Sequence, residues 1–495
     1  LCSWLLRLRF GADDMQPAVI LAIAVTIVLG GILILRLHAF VALLLAALTV
    51  ALLTPQSTLR TYADEQVAKG EWTEKAAGKF ANSSAPSRVA EGFGNTCASI
   101  GILIAMASII GKCLLDSGAA DKIVRSTLRL VGEPRAPAAF IASGFLLGIP
   151  VFFDTVFYLM MPLGKAMRLR TGGNYLLYIL TIVAGGTMAH SLVPPTPGPL
   201  LVADQLGVNL ATMIVGGCVI GLFASMCGYF FACWLNGRMV IPLRESADVS
   251  LADLEELSRR DESELPPVWL SLLPIVLPVV LITADTGLDT YVKAGGAEWA
   301  IAVQPYIELV GDKNVALILA AGIALAMVAW QTRKNATQLA QSVQAALAGG
   351  GVIILITAGG GAFGTTVRQC GIAEEIAKLT SDINPIMILP IAFLVTTLIR
   401  TAQGSATVAM ITAVSVLEHF VESGQLTFHP VYLALAIGCG SKPVAWMADS
   451  GFWVICKMSG MTEAEGLKTV TPLSIVMGIS GLVATMAAAA ILPLK

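Results

Sequence analysis

The chain has 495 residues, 56% of them hydrophobic and only 13% charged, with a formal net charge of −2 and a mean hydropathy of +0.79. A soluble chain of this length would carry roughly 25% charged residues over several domains, so an ordinary cytosolic enzyme is excluded. Without a basic tract or basic–aromatic stripe, nothing points to nucleic acid either. The composition is that of a polytopic membrane protein, whose 47 glycines and 23 prolines suit broken or closely packed spans in a lipid bilayer.

The opening LCSWLLRLRFGADD has no cleavage site after an apolar core, and Met15 directly precedes the first long apolar run, so 1–16 read as a leader of gene-start origin. A crossing helix needs about 20 apolar residues. Such runs lie at 17–35, 37–54, 94–115, 175–193, 209–235, 268–284, 313–331, 343–366, 430–440 with a continuation past a break, and 472–493. The polar stretch 55–91 and the charged stretch 236–267 are expected to be solvated connectors. The cysteines form no C-x-x-C or Cys/His cluster, so no metal site, disulfide or cofactor is expected.

Two segments are unlike simple spans. Residues 137–165 split into two apolar halves around Pro150 and Asp154, each too short to cross. Lys122, Arg125, Arg129 and Arg135 precede them, and Lys165, Arg168 and Arg170 follow. By the positive-inside rule both flanks are cytoplasmic, which predicts a re-entrant helical hairpin. Residues 385–417 split in the same way around IRTAQGSATVA, and the loop after them lacks Lys and Arg, as expected on the outer side.

A shift of 253 residues lays GKCLLDSGAADKIV (111–124) over GTTVRQCGIAEEIA (364–377), the tip 148–155 over 401–408, and Thr196 over Asp449. Counting crossings from the hairpin flanks puts the halves in opposite senses. The expected fold class is therefore an all-α polytopic membrane protein with two inverted structural repeats, each holding a re-entrant hairpin and a broken helix. The first repeat is 17–235, followed by a cytoplasmic linker at 236–267 and a second repeat at 268–495.

The polar groups in the breaks carry the chemistry. In HSLVPPTPGP (190–199) four prolines and a glycine interrupt an apolar span. Freed amides and a new helix N-terminus there suit a carboxylate, with hydroxyls from Ser191 and Thr196 and close backbone approach at Gly198. In GSKPVAWMADSGFW (440–453), Ser441, Lys442, Asp449 and Ser450 stand where apolar residues should continue. Lys442 is expected to meet an anion, pair with Asp449 or snorkel to the interface. At the hairpin tips Asp154 is a functional candidate with a helix N-cap as the alternative. Gln403, Ser405 and Thr407 suit polyol hydroxyls, Gly404 lets the backbone approach a ligand, and Arg400 either binds a substrate carboxylate or anchors at an interface. Asp154, Asp449 and His190 are the proton-coupling candidates, because a carboxylate in a dry site holds its proton more readily and histidine titrates near neutrality. GGGAFG (359–364) and AGG (184–186) lack the Lys-Ser/Thr of a phosphate loop and read as close-packing glycines.

GIPVFFD, HSLVPPTPGPL, RTAQGSATVAM, DSGFW and AGGGAFG (358–364) occur in an order that resembles the gluconate permease (gluconate:proton symporter) family of bacteria, over essentially all of 15–495. That resemblance implies a multi-pass protein of the bacterial inner membrane importing a sugar acid or related small hydroxy acid with protons. Sodium coupling or a D-serine-type substrate is the alternative. Through the wider ion-transporter group it also implies elevator motion and a homodimer. The chain departs from the family where relatives carry Asn, and often His, just before the DSGFW aspartate. Here Trp446, Met447 and Ala448 stand instead. An intramembrane enzyme would need a nucleophile–base pair or metal motif, and none is evident in the sequence.

Overall fold

In the computed structural model, residues 16–494 are described except 69, 71, 151, 245–264, 294–297, 333–335, 372–383, 423, 425 and 448. Helices dominate, and no strand occurs among the described residues. Seven helical segments there are long and apolar enough to cross a membrane: Ala85–Asp116, Tyr175–Gln205, Leu210–Asn236, Val268–Asp289, Lys313–Gln331, Thr337–Gln369 and Glu463–Ile491. The leader 1–15 and most of the linker 236–267 fall outside the described residues.

The chain opens with α1 (Pro17–Leu33) and α2 (Ala39–Leu53), then turns by 97° at Thr54–Pro55 into α3 (Gln56–Ala68) and α4 (Glu74–Ala81). The polar stretch read as a connector is thus a packed helix pair. Leu59, Ala63, Ala77 and Phe80 bury one face of it, with Tyr62 and Trp72 against Phe80. Its apolar residues are too few to register as a span but enough for an amphipathic stripe. The Ser84 hydroxyl caps α5 (Ala85–Asp116), which continues through Gly118 into α6 (Ala119–Val131).

The first two-part segment forms α7 (Ala136–Gly148) and α8 (Phe153–Thr171). At about 1.5 Å per residue the 13 residues of α7 fall well short of a bilayer core. The second half is longer than the sequence reading, because Lys165, Arg168 and Arg170 extend α8 as a helix until Gly172 stops it in the left-handed conformation (φ 69°). Next come α9 (Tyr175–Leu192), a break, α10 (Pro197–Gln205) and α11 (Leu210–Asn236), whose first amides are capped by Asn209. The break spans only 193–196, shorter than 190–199. Pro197 and Pro199 lie in the first turn of α10, where an amide hydrogen is unpaired in any case.

The second half begins with α12 (Val268–Lys293), α13 (Glu298–Gly311), α14 (Lys313–Thr332) and the long α15 (Ala336–Gln369). The hairpin helices α16 (Ile388–Gln403) and α17 (Ala406–Leu417) meet at Gly404, whose φ of 77° closes α16, while Ser405 caps α17. After the short α18 (His419–Glu422), α19 (Val431–Gly440) ends, and the chain resumes as α20 (Ser450–Ser459) and α21 (Glu463–Ile491).

Helix starts recur at nearly one spacing. Phe153, Pro197 and Leu210 each lie 253 residues before Ala406, Ser450 and Glu463. Packing also exchanges between the halves: α10 touches α17 as α20 touches α8, α9 touches α21 as α19 touches α11, and α5 packs along α15. The match of 111–124 with 364–377 lies partly outside the described residues. Glycines allow the closest approaches. A side chain on Gly185 would overlap the Ile141 carbonyl oxygen, so α9 lies against α7 backbone to backbone.

Candidate functional site

Three helix N-termini converge on one cavity of about 330 Å³. They belong to α8, α17 and α20, and bring Asp154, Ser405, Thr407 and Asp449 together. α9 adds Thr187 and His190, α16 adds Arg400, and the second break adds Lys442. α15 and α21 close it with Ile353, Ile356, Ser474 and Met477. Each N-terminus presents unpaired amides and the positive end of a helix dipole, so the cavity favours an anion before any side chain is counted.

Arg400 is only 4% exposed. Its guanidinium donates to the Asp449 carboxylate, to the Gly404 carbonyl and, at 3.0 Å, to the Ser441 carbonyl. Burial and these bonds rule out an interfacial anchor and make Arg400 the brace between hairpin tip and break. Asp449 pairs with Arg400, not with Lys442, and its other oxygen accepts the Gly451 amide at 2.9 Å as the N-cap of α20. Lys442 is 7% exposed, and its Nζ donates to the Thr187 carbonyl at 3.0 Å. It crosses between the halves instead of snorkelling, and two of its three ammonium hydrogens have no partner among the described residues.

Asp154 lies in the first turn of α8, but Phe152 holds the N-cap position without a side-chain bond, so the N-cap reading does not apply. Among the described residues no hydrogen bond or ion pair engages its carboxylate. Oδ1 of Asp154 and Oδ1 of Asp449 lie 3.5 and 3.4 Å from the point where a Gly451 side chain would begin, so the two acids face one small gap. The His190 ring stands edge-on to Phe152 at 5.8 Å, and its buried Nδ1 has no partner among the described residues.

Of the residues expected at the site, Asp154, His190, Arg400, Ser405, Thr407, Lys442 and Asp449 line this cavity. Five others do not. Ser191 is buried with a hydroxyl that has no partner among the described residues, and Thr196 donates to the Val193 carbonyl at 2.8 Å. Gly198 packs α10 against Met410, and Ser441 bonds back to the Gly438 carbonyl at 2.7 Å. Gly404 contributes a carbonyl to Arg400. The first break therefore shapes the protein behind the cavity and does not line it. The side chains of Gln403 and Ser450 fall outside the described residues. Sequence reasoning missed Thr187 and Ser474, since each is a lone hydroxyl in an apolar helix and usually bonds the preceding turn. Thr187 sits one turn before His190, the spacing that marks it as a neighbour on the same face.

A multi-pass helical chain with a charged cavity between helix breaks is a membrane transporter. Comparison with known proteins identifies the kind: a family model described as GntP family permease matches residues 80–491, and the chain belongs to that family of permeases. It is 32% identical over 477 residues to an uncharacterized permease of Haemophilus influenzae, covering 94% of this chain and 91% of the relative. It is 30% identical over 397 residues to a gluconate permease of Pseudomonas aeruginosa, covering 79% and 85%. The crystal structure of the Alcanivorax borkumensis YdaH transporter shares the fold, with a TM-score of 0.60 at 14% identity over 82% of this chain and 88% of that one.

Proposed function

We propose that the protein imports a sugar acid or a related small hydroxy acid, as the carboxylate, together with a proton across the bacterial inner membrane. The name of the Pseudomonas relative, a gluconate permease, supports that substrate class. The observation that carries the reading is the charge inventory of the cavity, two carboxylates and two cationic side chains beside the His190 ring. Arg400 and Asp449 neutralise one another, leaving Lys442 and Asp154. A substrate carboxylate held by Lys442 and the helix N-termini would leave one negative charge in excess, which is costly away from water. A proton on Asp154 restores neutrality, so anion and proton bind as a pair. Ser405 and Thr407 are placed to receive a substrate hydroxyl.

The recurring helix bounds and exchanged contacts support two halves inserted in opposite senses about this cavity, the arrangement suited to alternating access. Movement of the hairpins and breaks as one body against the remaining spans, and pairing of two chains, belong to the same proposal. Purified protein in liposomes tests the coupling. An inside-alkaline gradient should drive uptake of labelled hydroxy acids with choline in place of sodium. Uptake that needs sodium and ignores the pH gradient would overturn proton coupling.

A further inference from the structure

The cavity's polar side chains are largely committed to the protein itself. Arg400 places three of its five N–H donors on Asp449 and two carbonyls, and Thr187 Oγ1 donates to the Val183 carbonyl at 2.7 Å. Ser474 accepts the Ala445 amide at 3.2 Å and donates to the Thr471 carbonyl at 2.7 Å. Asp449 is engaged through both oxygens. Among the described side chains, what remains for a ligand beside Lys442 and Asp154 is the Thr407 hydroxyl, the hydroxyl hydrogen of Ser405, the His190 ring and the second hydrogens on the terminal nitrogens of Arg400. Ser405, whose oxygen accepts the Val408 amide at 3.3 Å, and Thr407 lie two residues apart on the same helix start.

The rest of the wall is apolar. Phe152, Val183, Ile353, Ile356, Ile455 and Met477 line it from four helices and the turn before α8. The residues before Asp449 add no polar side chain free for a ligand. Trp446 turns its indole N–H to the Thr401 carbonyl at 2.9 Å, and Met447 is 43% exposed. A hydroxyl buried against such a wall without a partner loses roughly tenfold in affinity, and a polyol chain would bring several. An apolar segment gains by the same burial.

Resting on the carboxylate-transport reading above, we infer that the preferred substrate is a short monocarboxylate with a single hydroxyl near the carboxylate and an alkyl remainder, and not a fully hydroxylated sugar acid. The carboxylate lies at Lys442 and the N-termini of α17 and α20, the hydroxyl at Ser405 and Thr407, and the alkyl end against Ile356 and Met477.

Competition in proteoliposomes of the full chain tests this, with 2-hydroxybutyrate, glycerate and gluconate each displacing counterflow of labelled 2-hydroxybutyrate, and binding of each read independently by thermal shift. The expected result is half-displacement by 2-hydroxybutyrate at a concentration at least tenfold lower than for gluconate, with glycerate between them, and a stabilisation that follows the same order. Gluconate binding as tightly as 2-hydroxybutyrate or more tightly overturns this inference and leaves carboxylate transport standing. Stabilisation by neutral butane-1,2-diol with none by any of the three acids overturns both.

Discussion

Arg400 and Asp449, 49 residues apart, form an ion pair that ties the tip of the α16–α17 hairpin to the break between α19 and α20. The pair is what allows a buried cationic side chain at a hairpin tip. It also fixes the N-terminus of α20 toward the cavity, because the same aspartate caps that helix.

Removing one member of this pair leaves the other buried and unpaired. Arg400→Ala should lower stability by about 3–5 kcal/mol and abolish transport. Thermal unfolding in detergent of Arg400→Ala, Asp449→Ala and the double variant checks it. The double variant should be less destabilised than the sum of the singles, and simple additivity would show that the two do not act as a pair.

Lys442 has a different role, since its partner among the described residues is a backbone carbonyl. Lys442→Met keeps the stem and loses the charge. It should stay folded while KM for carboxylates rises roughly ten- to a hundredfold, the worth of a charge-assisted hydrogen bond. An unchanged KM would remove Lys442 from the anion site.

Thr407 carries a hydroxyl with no partner among the described residues, so Thr407→Val should cost little stability. Affinity for hydroxy acids should fall roughly tenfold while the matching deoxy acids are unaffected, because only the former lose a hydrogen bond. Equal loss for both would place the hydroxyl elsewhere.

Packing of the first hairpin rests on glycine. Gly185→Ala puts a methyl group into the Ile141 carbonyl oxygen, which backbone on both sides cannot avoid, and should destabilise by about 1–3 kcal/mol. Gly322→Ala on α14 meets nothing within 4 Å and should be neutral or stabilising by up to about 1 kcal/mol. The difference in Tm between the two variants is the readout.

Much of this architecture was legible because breaks in membrane helices are written in proline, glycine and misplaced polar residues. The hairpins around Pro150 and Gly404 and the interruption after Gly440 are local signals, and local signals survive in a single sequence. What was not legible is pairing at a distance. Lys442 is seven residues from Asp449 and invited a pairing that Arg400 makes instead, since the partner is set by how α16 packs on α19. In the sequence the hydroxyls of Ser191 and Thr196 read as site groups because they flank a conspicuous break. That break is a compact turn over 193–196, followed by a helix start that holds Pro197 and Pro199, and neither Ser191 nor Thr196 lines the cavity. The helix pair α3–α4 was hidden for another reason. Its small apolar stripe is diluted by charge, so composition reads it as solvated.

The central claim is that an anion and a proton share the cavity, the proton on Asp154. Proton flux recorded with a pH indicator in vesicles alongside labelled carboxylate uptake tests it most directly, comparing the unmodified protein with Asp154→Asn. The account predicts one proton with each carboxylate in the unmodified protein. It predicts carboxylate exchange without proton movement, and no gradient-driven accumulation, in the variant. Proton-coupled accumulation persisting in Asp154→Asn would contradict it.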